Sequence, residues 1–104
     1  MRKISTENAP AAIGPYSQAI VAGDMLFASG QIPINPATGN IEAEGIEAQA
    51  EQAIKNAGEI LKAAGTDFAH VVKTTCFLAD MADFAAFNAV YRASFAAACA
   101  FPAV

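Results

Sequence analysis

Apolar and polar positions along the chain change period several times, and each change marks an element. From Ile4 to Gln31 the pattern reads as extended. Within it, Ala19-Ile20-Val21-Ala22 and Met25-Leu26-Phe27-Ala28 flank Gly23-Asp24. Glycine at the first central position of a two-residue loop suits a type II′ turn, so the pair predicts a β-hairpin. Pro33, Pro36, Gly39 and Gly45 then mark a surface loop between Ile32 and Gly45. From Ile46 to Ala64 the period lengthens. Ile46, Ala50, Ala53, Ala57, Ile60, Leu61 and Ala64 recur at steps of three and four, which makes one apolar helical stripe. Glu51 and Lys55 are spaced to pair on its wet side, and Gly65 fits the left-handed position that ends many helices. Gly58 inside this helix costs up to about 1 kcal/mol relative to alanine, which points to close packing against a neighbour.

The run His70 to Ala79 is β-branched and aromatic, with apolar residues on both faces, and predicts a central strand. Asp80 and Asp83 are suited to start a second helix. Phe84, Phe87, Tyr91 and Phe95 fall on one face of it, a stripe that reads as core, and Pro102 stops it. The order hairpin, loop, helix, strand, helix predicts an α+β fold with two helices on one face of a mixed sheet. Such a unit normally closes with a further strand. Phe101-Pro102-Ala103-Val104 carries no polar tail and reads as a chain cut in mid-pattern.

Composition narrows the classes. The 104 residues are enough for a single domain, residues 1–104. A chain of this size buries only about 60–68% of its unfolded surface, which favours oligomerisation. At 55% hydrophobic and 15% charged it is no disordered segment, and no apolar run approaches the ~20 residues that cross a bilayer. The net charge is −4, with the basic residues Arg2, Lys3, Lys55, Lys62, Lys73 and Arg92 scattered. No basic stripe tracks phosphates, so nucleic acid is disfavoured as a partner. The start lacks the apolar core of a signal peptide. Cys76, Cys99 and His70 are too few for a four-ligand zinc site without carboxylate help. The two cysteines read as buried free thiols in a reducing cytoplasm.

Three clusters could carry chemistry: Gly14-Pro15-Tyr16-Ser17-Gln18-Ala19, Ala28-Ser29-Gly30-Gln31-Ile32-Pro33, and Phe87-Asn88-Ala89-Val90-Tyr91. The first pins a phenol beside a rigid turn. The second sets a glycine at a strand end, where a ligand can approach backbone. The third puts an amide beside an aromatic stripe. Each also has a plain alternative: a turn with a packed ring, a strand end, a solvated helix asparagine. His70 reads as a strand-start residue, no Ser-His-Asp set is evident, and there is no Gly-rich phosphate loop or metal motif.

Taken together and in register, these stretches resemble the RidA (YjgF) family. The likeness runs through Ala12 to Ala19, Phe27 to Pro33, the helix Gln49 to Gly65, Val72 to Leu78, Phe84 to Tyr91 and the final Phe101-Pro102-Ala103. The resemblance implies a chorismate-mutase-like α+β fold, a homotrimer, and ligand clefts between neighbouring subunits. It implies hydrolysis of reactive 2-aminoacrylate-type enamines and imines to 2-keto acids and ammonia, with no cofactor and no metal. Carried over by residue, Tyr16 lines the cleft, Ser29, Gly30 and Gln31 border it, and Asn88 lies near it. The family pattern continues with an arginine that grips the substrate carboxylate as a bidentate fork, which lysine replaces poorly. A glutamate on a final strand then serves as base or proton relay. Val104 stands where that arginine is expected, and the glutamate is not among these residues. The alternative is therefore a non-catalytic, small-molecule-binding or regulatory module. RNA cleavage, also attributed to some members, is opposed by the acidic balance.

Overall fold

The computed structural model describes residues 1–95. Strands β1 (Arg2–Ile4), β2 (Ala19–Ala22) and β3 (Met25–Ala28) form an antiparallel sheet in the order β1-β2-β3. Ala22 pairs with Met25 across the two-residue loop. Gly23 has φ 62 while Asp24 stays at negative φ, the combination that a type II′ turn requires. The expected hairpin is therefore present in register.

Helix α1 (Gly45–Ala63) covers one face of this sheet. Alternation puts Ile4, Ala19, Val21 and Leu26 on that face, and Ile60 and Ala64 pack against them. Ile60 is wholly buried. The helix ends as the sequence predicts. Gly65 takes φ 81, its N–H donates to Lys62 O (3.0 Å), and Thr66 N–H donates to Leu61 O (2.9 Å). These bonds satisfy carbonyls that a helix end otherwise leaves open. The expected Glu51–Lys55 pair does not form: among the described residues the one ion pair is His70–Asp67. Both side chains are exposed, where such a pair gains little over hydration.

After α1 a 3-10 turn, Phe68–His70, sets the Phe68 ring against the helix. A Cβ on Gly58 would lie 3.0 Å from that ring, so the mid-helix glycine has a packing reason. A second 3-10 turn, Met81–Asp83, leads into α2 (Phe84–Ser94), which packs against α1. Asp80 accepts from Ala82 N–H (2.9 Å) and so starts the first of these two elements, not the helix itself. Phe95 stacks on Tyr91 (4.3 Å) and meets Phe68 edge-on (4.6 Å), which makes the second half of the aromatic stripe core. Phe84, at its start, is exposed.

Several expectations need correction. The sheet is antiparallel throughout the described residues, not mixed, because the run from Val71 to Ala79 forms no ladder. Its β-branched residues favour an extended backbone, but a strand needs a ladder partner, and no described segment pairs with it. For the same reason Cys76 is exposed, not buried, and Phe77 is 92% exposed. His70 lies in the 3-10 turn and starts no strand. Cys99, the Pro102 stop and Val104 lie outside the described residues.

Candidate functional site

The first two sequence clusters meet at the end of β3. Ser29 N–H donates to Gln18 O (3.0 Å), and Ser29 Oγ donates to Ser17 O (2.7 Å). These bonds hold the Tyr16 turn alongside the Ser29-Gly30-Gln31 segment. Within the turn Tyr16 N–H donates to Gly14 O (2.8 Å), and the ring folds back to 3.5 Å from where a Gly14 Cβ would stand. The ring is nevertheless 49% exposed. It borders open space and is not packed into the core.

Gly30 is exposed, and a Cβ built on it meets no atom of the described residues within 4 Å. Its backbone is therefore open to a ligand from a side that no described residue occupies. The Gln31 side chain turns back on the strand end, with Nε2 donating to Ser29 O and Gly30 O, each at 3.2 Å. Because the Ser29 hydroxyl proton is committed to Ser17 O, its oxygen is left as an acceptor. Asn88 sits half-buried on α2. No hydrogen bond among the described residues joins it to the other four. The chain thus brings together Tyr16, Ser29, Gly30 and Gln31, and leaves Asn88 on a separate element.

Sequence reasoning passed over two buried amides. Gln18 accepts from Thr6 N–H (2.7 Å) and donates to Thr6 O (3.0 Å), Ala9 O (3.3 Å) and Pro10 O (2.8 Å), which folds the incoming segment under the Tyr16 turn. Asn56, wholly buried on α1, donates through Nδ2 to Ile32 O (3.0 Å) and Ile34 O (2.8 Å). Its Oδ1 accepts from Gln52 Nε2 (2.9 Å). The available signal was position: Asn56 falls between Ala53 and Ile60 on the apolar stripe. A cavity of about 370 Å³ lies elsewhere, lined by Glu7, Asn35, Gln52, Lys55 and Glu59 among others, and none of the sequence-predicted residues borders it.

The other polar cluster is a surface one. His70 Nδ1 lies 2.8 Å from Asp67 Oδ1, which also accepts from Ala69 N–H (3.0 Å). The bond to His70 lowers the Asp67 carboxyl below its ordinary range. No group of three or more metal-ligating side chains occurs among the described residues. Nor is any described helix long and apolar enough to cross a membrane.

Comparisons with known proteins agree on one family. The family model described as Endoribonuclease L-PSP matches residues 6–104. The chain is 54% identical over 94 residues to Reactive Intermediate Deaminase A, chloroplastic, of Arabidopsis thaliana, covering 90% of this chain and 50% of that protein. It is 52% identical over 94 residues to the human 2-iminobutanoate/2-iminopropanoate deaminase, covering 90% of this chain and 69% of the relative. Among solved structures it is similar to the YjgF gene product of E. coli, with a TM-score of 0.89 at 50% identity, covering 99% of this chain and 81% of that one. The chain therefore spans half the length of the Arabidopsis relative and about two thirds of the human one.

Proposed function

We propose that this chain, which belongs to the RidA (endoribonuclease L-PSP) family, binds small 2-imino or 2-enamino acids and hydrolyses them to 2-keto acids and ammonia. What supports the reading is the Ser29 knot. It holds an exposed phenol beside an open glycine backbone, in a chain more than half identical over the aligned residues to mammalian proteins named 2-iminobutanoate/2-iminopropanoate deaminase.

The chemistry asks little of the protein beyond orientation. An imine carbon is already electrophilic. Water adds to C2 to give a tetrahedral aminol; the C–N bond then breaks, C=O forms, and the nitrogen leaves as ammonia. An enamine first takes a proton on C3 and gives one up from nitrogen to water, which makes it the imine. Holding substrate and water in one geometry supplies most of the acceleration. In this scheme Tyr16 walls the cleft, and Gly30 lets the substrate reach backbone that any side chain would screen. The Ser29 oxygen accepts a hydrogen bond from the attacking water or the departing nitrogen. Asn88 joins from α2. The cleft lies between subunits of a homotrimer. The uncovered sheet face with Ile20, Met25 and Phe27, the last 62% exposed, offers apolar surface for that assembly.

A dehydratase that releases 2-iminobutanoate, mixed with the purified chain, tests the reading. Keto-acid release should rise above that of the dehydratase alone. Equal rates with and without the chain would overturn it. Binding without turnover is the second reading, favoured by Val104 standing where the resemblance calls for an arginine. Calorimetry with 2-oxobutanoate tests that point: without the arginine fork a small carboxylate should bind weakly, and tight binding would argue against it. RNA cleavage fits less well, because a net charge of −4 with scattered bases offers phosphates no track.

A further inference from the structure

We infer that Asn56 is a positioning residue for the Ser29-Gly30-Gln31 segment, acting through the backbone of Ile32 and Ile34; this rests on the site proposed above. The segment is clamped at both ends. On one side Ser29 is bonded to Ser17 O and Gln18 O. On the other, the Asn56 carboxamide takes Ile32 O and Ile34 O with its two N–H groups, at 3.0 and 2.8 Å. Ile34 N–H also donates back to Ile32 O (2.8 Å), which makes a tight turn around Pro33. Gly30 and Gln31 are all that lies between the clamps. Gly30 has no side chain to anchor it, and the Gln31 side chain, bonded to Ser29 O and Gly30 O, belongs to the same segment and moves with it. The path of the backbone offered to substrate is therefore set from outside, by a side chain on α1.

The Asn56 amide is suited to this. It is wholly buried, and Gln52 Nε2 (2.9 Å) orients it through Oδ1 so that both N–H groups face the loop. An apolar residue at this point of the stripe would leave the Ile32 and Ile34 carbonyls without this donor and the loop untied. A buried carboxamide with every group used is a geometric specification of its partner.

Asn56→Asp tests it, because it keeps the size but turns both donors into acceptors facing two carbonyls. Ile60→Val is the control, a buried substitution on the same helix that lowers stability without touching the loop. Keto-acid release should fall about tenfold in kcat for Asn56→Asp, with KM within threefold. A loosened segment still meets substrate but holds the reactive pose less of the time. Ile60→Val should keep kcat within twofold. In NMR spectra the Gly30 and Gln31 amide signals should broaden or shift in Asn56→Asp and stay in place in Ile60→Val. Parallel behaviour of the two variants in rate and spectra would overturn the inference. If the parent chain shows no turnover, the proposed reaction fails, and the Gly30 and Gln31 signals alone decide the positioning claim.

Discussion

The hairpin with α1 and the stretch from Val71 to α2 are held in different ways. In the first, every strand has a neighbour, the helix buries Ile60 completely, and buried amides on Gln18 and Asn56 find partners for all the groups they offer. In the second, a β-branched run lies without a ladder, and one side-chain bond, Thr74 Oγ1 to Tyr91 Oη at 2.7 Å, ties it to α2. Strand propensity is a preference for a conformation, while a strand is a set of hydrogen bonds to another segment. The four clustered candidate residues belong to the first region, whereas Asn88 sits on α2, which Thr74 ties to the unpaired run.

Substitutions that remove the supports one by one sharpen this contrast. Ile60→Ala should be the most damaging. It opens a cavity under a wholly buried side chain, and chemical denaturation should show a loss of about 2–5 kcal/mol. Gly58→Ala comes next. Alanine gains about 1 kcal/mol of helix propensity, but its methyl would stand 3.0 Å from the Phe68 ring, which Phe95 holds from the other side. Overpacking of this kind costs about 1–3 kcal/mol, so a net destabilisation is expected; a rise in stability would mean that the ring yields. Phe77→Ser should change stability by less than about 0.5 kcal/mol, as for other substitutions at exposed positions. A large loss there would show that the Val71–Ala79 run is covered in solution and would erase the contrast.

The smallest effect concerns pH. The folded Asp67 carboxyl titrates below the ordinary value for an aspartate, chiefly through the bond to His70. A lowered folded pKa contributes stability above the unfolded value, and that contribution disappears as pH falls through the folded one. Asp67→Asn should therefore flatten slightly the dependence of the thermal midpoint below pH 4. The difference should shrink in high salt, because both partners are exposed.

Which features were legible in the sequence follows from the range of the forces that make them. The Gly23-Asp24 turn, the Gly65 helix end and the α1 stripe are local, set by backbone sterics and a repeat of three to four residues. Gly58 was legible as an anomaly, though its partner Phe68 was not. The Tyr16 and Ser29-Gly30-Gln31 stretches could be singled out, but what joins them could not. Ser17 O and Gln18 O are backbone groups and carry no residue-specific mark. Asn56 went unnoticed because amides are usually solvated, and only its place on the apolar stripe sets it apart. Cys76 and Phe77 were expected in a strand because their residue types fit one, and the missing quantity was a partner.

Gly30 offers the most direct measurement. Its backbone does not require glycine on steric grounds, since a Cβ would meet open space and φ lies outside the left-handed region. Gly30→Val should leave the thermal midpoint unchanged or slightly raised. It should lower keto-acid release from 2-iminobutanoate more than tenfold, because the new side chain occupies the approach that the substrate needs. A Gly30→Val chain that hydrolyses the imine as fast as the parent would contradict a site built on this open backbone.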